Sequence, residues 1–557
     1  MKLNRTGSIW DRNERNKIND NWDKLEGNIN NFQSEITDKV FAEIKDSAKL
    51  NWGEPVNSFN NLPKNAKNGD TRFTRDTGKV YRYDGTNWVE IQQIDAGPVN
   101  ELDRRVTQQL AETATQALDW DRRGILKLPS DFPVKIPFEI FRNVYGNITH
   151  NYNFDYWDDA QVLHVKTDGG GSNDPTYGDE DKPFSSVKYA IDQAHSRSGD
   201  KWIIKIMNKR LTGGSSWGIT PNTLHTFNIE KNLKIMPHKD IEKVIASSSS
   251  AGGGYSWSKE ENVYYTSRSL LEKVYDSKFK DARGNFVSVE RVDTLGECKA
   301  TPNTYYYSNN IIYIHRKDSS APDDDIHLIT QLGINLLFNV NNCKFFIEDI
   351  QFAYNSRVSS SDQECVKITG NIGSEFIHRR CSFGASRLNG LAVDTKGHVY
   401  GFHSDAHNNN TDGFNYHDTS GNAKGFVFEF DCYASFNGNT GGSTFNATTA
   451  HDGMAVLRVG SIGHDCRGPI LADVNGCYSI NVDCNMYDST RSSGSTRAGF
   501  WFDNAGTSGR IGKAYLINCS GGGVGTYTVN TDRLVEVYTK NLKGNNIPEA
   551  VLLNQIT

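Results

Sequence analysis

Apolar side chains are in short supply in this 557-residue chain: hydrophobic residues make up 36% of it, whereas glycine alone occurs 50 times. That ratio excludes one thick hydrophobic core, which in any case stops growing near about 250–300 residues. It suits a repetitive fold in which every turn buries a few side chains and needs many tight bends. No apolar run is long enough to cross a bilayer, and the N-terminal MKLNRTGSIWDRNERNK has no apolar stretch. Neither a secretory leader nor a membrane helix is therefore expected, and folding in a cytoplasm is. A basic excess is missing too. With 61 Lys and Arg against 67 Asp and Glu, the formal net charge of -6 offers no field to draw nucleic acid or an anionic membrane. The nine cysteines are odd in number and contain no CxxC pair, which argues against a disulfide framework and against a cysteine metal centre.

What is present is a recurring fragment in the C-terminal half. Short strands with an inward cysteine read RRCSF (379–383), FDCYA (430–434), VDCNM (482–486) and INCSG (517–521). Strands opened by glycine read NGLAV (389–393), DGFNY (412–416), DGMAV (452–456), AGFWF (498–502) and VGTYTV (524–529). Strands this short, split by Gly, Asn and Ser turns and lacking helical periodicity, predict an all-β solenoid, a long grooved body suited to an extended polymer. The cysteines then read as reduced, stacked core thiols.

Ahead of the solenoid, Ile18, Trp22, Leu25, Ile29, Phe32 and Ile36 are spaced 4, 3, 4, 3, 4. This heptad stripe predicts a coiled-coil attachment helix over 1–52, shifting register at Val40 and Ile44 and closed by Gly53 and Pro55. One helix packing its stripe on its own domain is the alternative. A small β-domain over 53–97 follows. Its segment GDTRFTRDTGKVYRYDGTNWVEIQQ (69–93) predicts a three-stranded meander, in which Tyr81, Tyr83 and Trp88 fill a mini-core or meet sugar. Residues 98–160 predict a helical and extended neck, with Val99, Leu102, Val106 and Leu110 at helical spacing and LKLPSDFPVKIP (126–137) as a proline-punctuated connector. The solenoid is expected over 161–557. It opens near Val162, is capped by a helix over 181–194 begun by Ser185 or Ser186, and buries WIIKIM (202–207) as a strand. A polar, β-rich insertion at about 245–325 interrupts the rungs, which resume at FFIEDIQF (345–352). The tail PEAVLLNQIT (548–557) is apolar enough to dock on the last rung or on a neighbouring chain.

The opening VLHVKTDGGGSND (162–174), with DKPFSSVKYAIDQA (181–194), resembles the start of pectin-lyase-like right-handed parallel β-helix proteins. The segment YYYSNNIIYIH (305–315) resembles an insertion of bacterial and phage members of that class. The heptads and GKVYRYDGTNWVEI (78–91) resemble attachment regions of tail fibre and baseplate proteins of phages infecting Gram-positive bacteria, and the Asn- and Lys-rich usage suits an AT-rich genome such as that of a staphylococcal phage. The resemblance implies a homotrimeric tail fibre or tailspike-like virion protein. It would join other tail or baseplate proteins through its N-terminus and recognise a host cell-wall glycopolymer, such as teichoic acid or capsule, during adsorption. No cofactor is implied.

Chemistry-bearing residues crowd one stretch, since six of the 14 histidines fall between His398 and His464. Rungs of a solenoid stack about 4.8 Å apart, so residues one rung apart become neighbours. Asp405, Asp412, Asp452, Asp465 and His451 are candidates for dividing acid, base and nucleophile roles on a glycosidic bond. His403, His407, His417, Arg458, His464 and Arg467 are candidates for holding a glycan, or for engaging a teichoic-acid phosphodiester. Plainer readings stand beside these. Asp412-Gly413 and Asp452-Gly453 are turn formers, and Asn408, Asn409 and Asn410 suit a turn or a side-chain ladder. Asp405 and His407 lack further ligands at metal spacing, so no metal is expected. GDED (178–181) offers carboxylates for calcium, but its spacing does not match an EF-hand, and a loop before the cap helix is the simpler account. DSSAPDDDIH (318–327) reads as a solvated loop. Glycan attachment is the favoured function, with a depolymerase at 403–465 or a purely structural tail component as alternatives.

Overall fold

Short strands whose side chains alternate inward and outward can bury their apolar halves only by stacking on copies of themselves. The computed structural model shows that arrangement. It describes residues 51–93, 124–143, 145–218, 224–247, 250–280, 286–330, 335–353, 364–419, 425–438, 445–489, 497–504, 512–523, 526–531, 535–544 and 553–555. The heptad stripe and the helical spacing at Val99–Leu110 lie outside these residues. The chain forms two units, one from residues up to 128 with 137–152, the other from 129–136 with 153–557. Among the described residues no helix is long and apolar enough to cross a membrane.

In the first unit the expected three-stranded meander has a fourth strand. Asn51–Trp52, assigned from sequence to the end of the coil, pairs in parallel with Asp70–Thr74. A two-residue edge strand is too short to leave an alternation in the sequence. Tyr81 is buried against Phe59 at 5.0 Å, and Trp88 Nε1 donates to the Pro63 carbonyl at 3.1 Å, so both serve a mini-core. Asp84 fixes the second turn by accepting from the backbone N–H of Thr86 and Asn87, each at 2.7 Å.

The second unit is a parallel β-helix of three sheets with twelve, nine and nine strands. Sheet I runs from Gln161–Val165 to Leu553–Gln555, sheet II from Leu224–Ile229 to Tyr527–Thr531, and sheet III from Arg210–Thr212 to Ser520–Gly522. A rung crosses the sheets in the order II, I, III, as in Phe414–Asp418, Phe426–Phe430 and Tyr433–Ser435. The helix Val187–Ser196 closes the N-terminal end, with Ser186 as its N-cap and Val187, Ala190, Ile191 and Ala194 buried. The insertion begins after Val244–Ser247, which is itself a sheet III strand. Rungs resume at Asn335–Val340, earlier than expected, because LLFNV carries neither the cysteine nor the glycine that marks other rungs. Within the insertion YYYSNNIIYIH forms a hairpin turning at Asn309 and Asn310, both left-handed with φ of 51° and 58°. The tail strand Leu553–Gln555 extends sheet I beside Val537–Thr539. Part of the outer face of sheet I is covered by the connector: Phe132 packs on Phe426 and Tyr478, and Asp131 accepts from Tyr478 Oη at 2.7 Å and Lys513 Nζ at 2.6 Å.

The recurring cysteines sit at one corner. Between sheets I and III each rung turns on one left-handed residue: Arg380, His403, Asp431, Asp483 and Asn518 have φ between 49° and 53°. Cys381, Cys432, Cys484 and Cys519 follow directly, with buried thiols turned to backbone carbonyls. All nine cysteines are buried and outside disulfides, and burial pushes the Cys381 and Cys466 thiols up to about 12. The glycines answer a different constraint. A Cβ on Gly413 would stand 2.5 Å from the Ala447 carbonyl oxygen, one rung away.

Arg458 is not available to a glycan. Its side chain points into the helix interior and is fully buried, its guanidinium 3.2 Å from Glu429 Oε2 and donating to both Asp473 oxygens at 2.7 and 2.9 Å. Thr448 and Ser461 donate to Glu429, and Ser479 donates to Asp473, so the lone pairs of the knot are taken up. Arginine at a strand centre reads as a surface cation only when its inward partners are unseen. Arg458→Ala should lower the stability of the body by about 3–5 kcal/mol, because it strands two buried carboxylates. Replacing Arg458, Glu429 and Asp473 together by apolar residues should restore most of the loss in a thermal unfolding series.

Candidate functional site

The outward positions of sheet II line up by register. Asn415 pairs with Thr449, Thr449 with Ala472, and Ala472 with Trp501, while His417 pairs with His451. Inward neighbours Phe414, Tyr416, Ala450, Leu471, Phe500 and Phe502 fill the core, so the polar and aromatic residues between them must face out. Loops at Leu388–Asn389, Thr411–Asp412 and Phe445–Asn446 wall this face into a groove of about 510 Å³. Asp412, Asn415, His417, His451, Trp501 and Asp503 are among its lining residues.

The histidines stack face to face, with ring centroids 4.2 Å apart and an interplanar angle of 5°. His417 Nδ1 donates to Asp452 Oδ2 at 3.0 Å, and Asn475 Nδ2 donates to Asp452 Oδ1 at 2.9 Å. Burial acts against the Asp452 charge, yet the hydrogen bonds from His417 and Asn475 hold its carboxyl below the usual range. His451 is pushed down to about 4 by burial and by the neighbouring His417, and so presents a neutral imidazole near pH 7. Asp412 shifts the other way. Burial raises it to about 6, although it accepts from the Asn446 backbone N–H at 2.7 Å and Asn415 Nδ2 at 2.8 Å. The groove thus holds a carboxyl able to carry a proton near neutrality beside a neutral hydrogen-bonding ring.

Other sequence candidates lie elsewhere. Asp405 and His407 are on sheet III, where His407 Nδ1 donates to Asp405 Oδ1 at 2.9 Å and Ser382 Oγ donates to the same oxygen at 2.6 Å. Burial opposes the Asp405 charge, and these bonds keep its carboxyl low, as a fixed acceptor. His464 is also on sheet III. Its Nδ1 donates to Asp465 at 2.6 Å, its Nε2 accepts from Tyr433 Oη at 2.7 Å, and its ring stacks on Tyr487 at 5.3 Å. Asp465 is a left-handed turn residue, φ 51°. His403 occupies the left-handed corner, 3.6 Å from Asp431. Arg467 is half-buried at a loop whose backbone donates to the Asn437 carbonyl, and it does not line the groove. Asn409 takes the ladder reading, donating to Asn437 Oδ1 at 3.0 Å.

The structure therefore gathers Asp412, His417, His451 and Asp452 and separates the rest. Sequence reasoning missed Asn415, Asn446, Asn475, Trp501 and Asp503. The alternation in AGFWF, with Phe500 and Phe502 inward, carried the signal for Trp501.

No family model and no curated protein matches the chain. Among solved structures it is similar to a glycoside hydrolase, at TM-score 0.47 and 11% identity over 71% of this chain and 96% of that one. It is similar to pectate lyase Pel9A at TM-score 0.37 and 10% identity, over 72% and 80% of the two chains. It is also similar to the tailspike protein gp49 from Pseudomonas phage LKA1, at TM-score 0.25 and 10% identity over 67% and 71%.

The Asp412 environment has a pH signature. A carboxyl raised from 3.8 to about 6 stabilises the fold in its protonated form, a contribution complete below the unfolded value and lost as pH rises through the folded one. The stability of the wild type relative to Asp412→Asn should therefore fall between pH 4 and pH 7, by up to about 3 kcal/mol. Thermal unfolding of both proteins across that range reads it, and a constant difference contradicts the buried carboxyl.

Proposed function

We propose that this chain is a tail fibre or tailspike component of a phage virion, which holds a host cell-surface glycopolymer in the sheet II groove. The lining carries this reading. Trp501 offers a flat apolar face for a sugar ring, and Asn415, His417, His451 and Asp503 offer hydrogen-bonding groups along it. The carboxylates of Asp503 in the lining and of Asp452 beside His417 favour a neutral or amino-bearing polysaccharide over a polyphosphate such as teichoic acid. We extend the proposal to a right-handed coil, the hand that parallel strands with crossovers almost always take, and to a homotrimer built through the 1–52 heptads. Several shallow grooves on one particle would add by avidity. A Gram-positive host belongs to the same reading and rests on the attachment-region resemblance alone.

One observation favours a second reading. A buried carboxyl near 6 in a groove is placed to protonate a glycosidic oxygen, which makes Asp412 the candidate general acid of a depolymerase.

Purified full chain should bind wall polysaccharide from its host, and Trp501→Ala should weaken binding by about tenfold, as loss of an aromatic anchor does. The attachment reading predicts no new reducing ends or phosphate after prolonged incubation. Product that disappears in Asp412→Asn would establish the depolymerase instead, and absence of binding by the wild type would overturn both.

A further inference from the structure

The N-terminal end of the β-helix holds a group of side chains that the groove does not use. His164 lies on the first strand of sheet I, His238 directly follows Asn232–Pro237, and Glu180 sits in the loop ahead of the cap helix. The histidines are only 9% and 5% exposed, with ring centroids 5.7 Å apart, while Glu180 faces solvent. One nitrogen of each histidine and one Glu180 carboxylate oxygen lie within 4.8 Å of one another.

Two features of this group fit a cation site. His164 Nδ1 is buried and has no hydrogen-bond partner. His238 stands between two carboxylates, with Nδ1 3.4 Å from Asp240 Oδ2 and Nε2 3.3 Å from Glu180 Oε1. If Asp240 holds the proton on Nδ1, as carboxylates behind metal-bound histidines do, the Nε2 lone pair faces a carboxylate oxygen. Two acceptors at that separation repel unless a proton or a metal cation lies between them, and a metal cation there could also take up His164. Zinc bonds of about 2.0–2.1 Å in a tetrahedron place neighbouring ligand atoms about 3.3–3.4 Å apart, which is the His238–Glu180 separation. Lys239 Nζ, 3.2 Å from Glu180 Oε1, supplies some positive charge at the rim.

We propose that His164, Glu180 and His238 bind a zinc-class divalent cation, with water in the fourth position. Two imidazoles and one carboxylate are a donor set that first-row divalent ions take in preference to calcium or magnesium. The ligands come from the first strand, the pre-helix loop and the end of a later sheet I strand, so the ion would clamp the cap against the rungs. It would act as a staple at the end of the solenoid and stands independently of the glycan reading.

The test uses tag-free full-length protein, stripped with chelator and titrated with Co²⁺ and then Zn²⁺. A single saturable equivalent is expected, with the visible absorption of four-coordinate Co²⁺ and a melting temperature raised by Zn²⁺. His164→Ala and Glu180→Gln should each weaken binding by at least about tenfold. Because Glu180 is exposed, Glu180→Gln should keep the metal-free melting temperature and circular dichroism of the wild type, which separates lost ligation from lost folding. No saturable Co²⁺ binding by the wild type, or binding unchanged in Glu180→Gln, would overturn the site.

Discussion

In-register backbone hydrogen bonding between rungs is the constraint on which the rest of the body depends. Each strand of sheet II pairs residue for residue with the strand one rung on, so a side chain inherits its neighbours from the ladder and not from the sequence around it. The same register that stacks Phe345, Phe376, Val399, Val427 and Val456 into a core stacks His417 on His451 outside it. Holding the ladder closed requires a sharp corner in the rungs, and a left-handed residue, followed in four of them by a small buried thiol, is the local solution. A shift of one residue in one strand would send a groove histidine into the core and a phenylalanine into solvent.

This explains how far the sequence could be read. The solenoid was legible because its requirements are local: most left-handed corners take Asn, Asp or Gly, tight rung-to-rung approach selects Gly413, and short apolar runs such as WIIKIM mark strands, this one with Trp202, Ile204 and Ile206 buried and Ile203 and Lys205 partly exposed. The site was only partly legible because its requirements are not local. The histidine-rich stretch looked like one cluster, yet alternation and the corner divide it among sheet II, sheet III and the interior. Arg458 looked exposed because Glu429 and Asp473 reach it from flanking rungs. The alternation in AGFWF turns Trp501 outward, but only the register sets it beside Ala472 and Thr449. His164, Glu180 and His238 are separated by whole strands, and none has a metal-binding spacing with another.

The interior and the groove handle charge in opposite ways. Inside, Arg458, Glu429 and Asp473 are paired with one another and buried away from any ligand. In the groove, burial without a paired counter-charge raises Asp412 and lowers His451, which leaves one group able to carry a proton and the other neutral near pH 7. Neutral donors and acceptors beside an indole recognise hydroxyl-rich rings without the penalty of stripping water from a fixed charge.

The most direct measurement is a crystal structure of the full chain soaked with an oligosaccharide prepared from the host surface polymer. The account predicts a sugar ring lying on Trp501, with hydroxyls bonded to His417, His451 or Asn415. Sugar seated instead on the Tyr433, His464 and Tyr487 face of sheet III, with the sheet II groove empty, would contradict it.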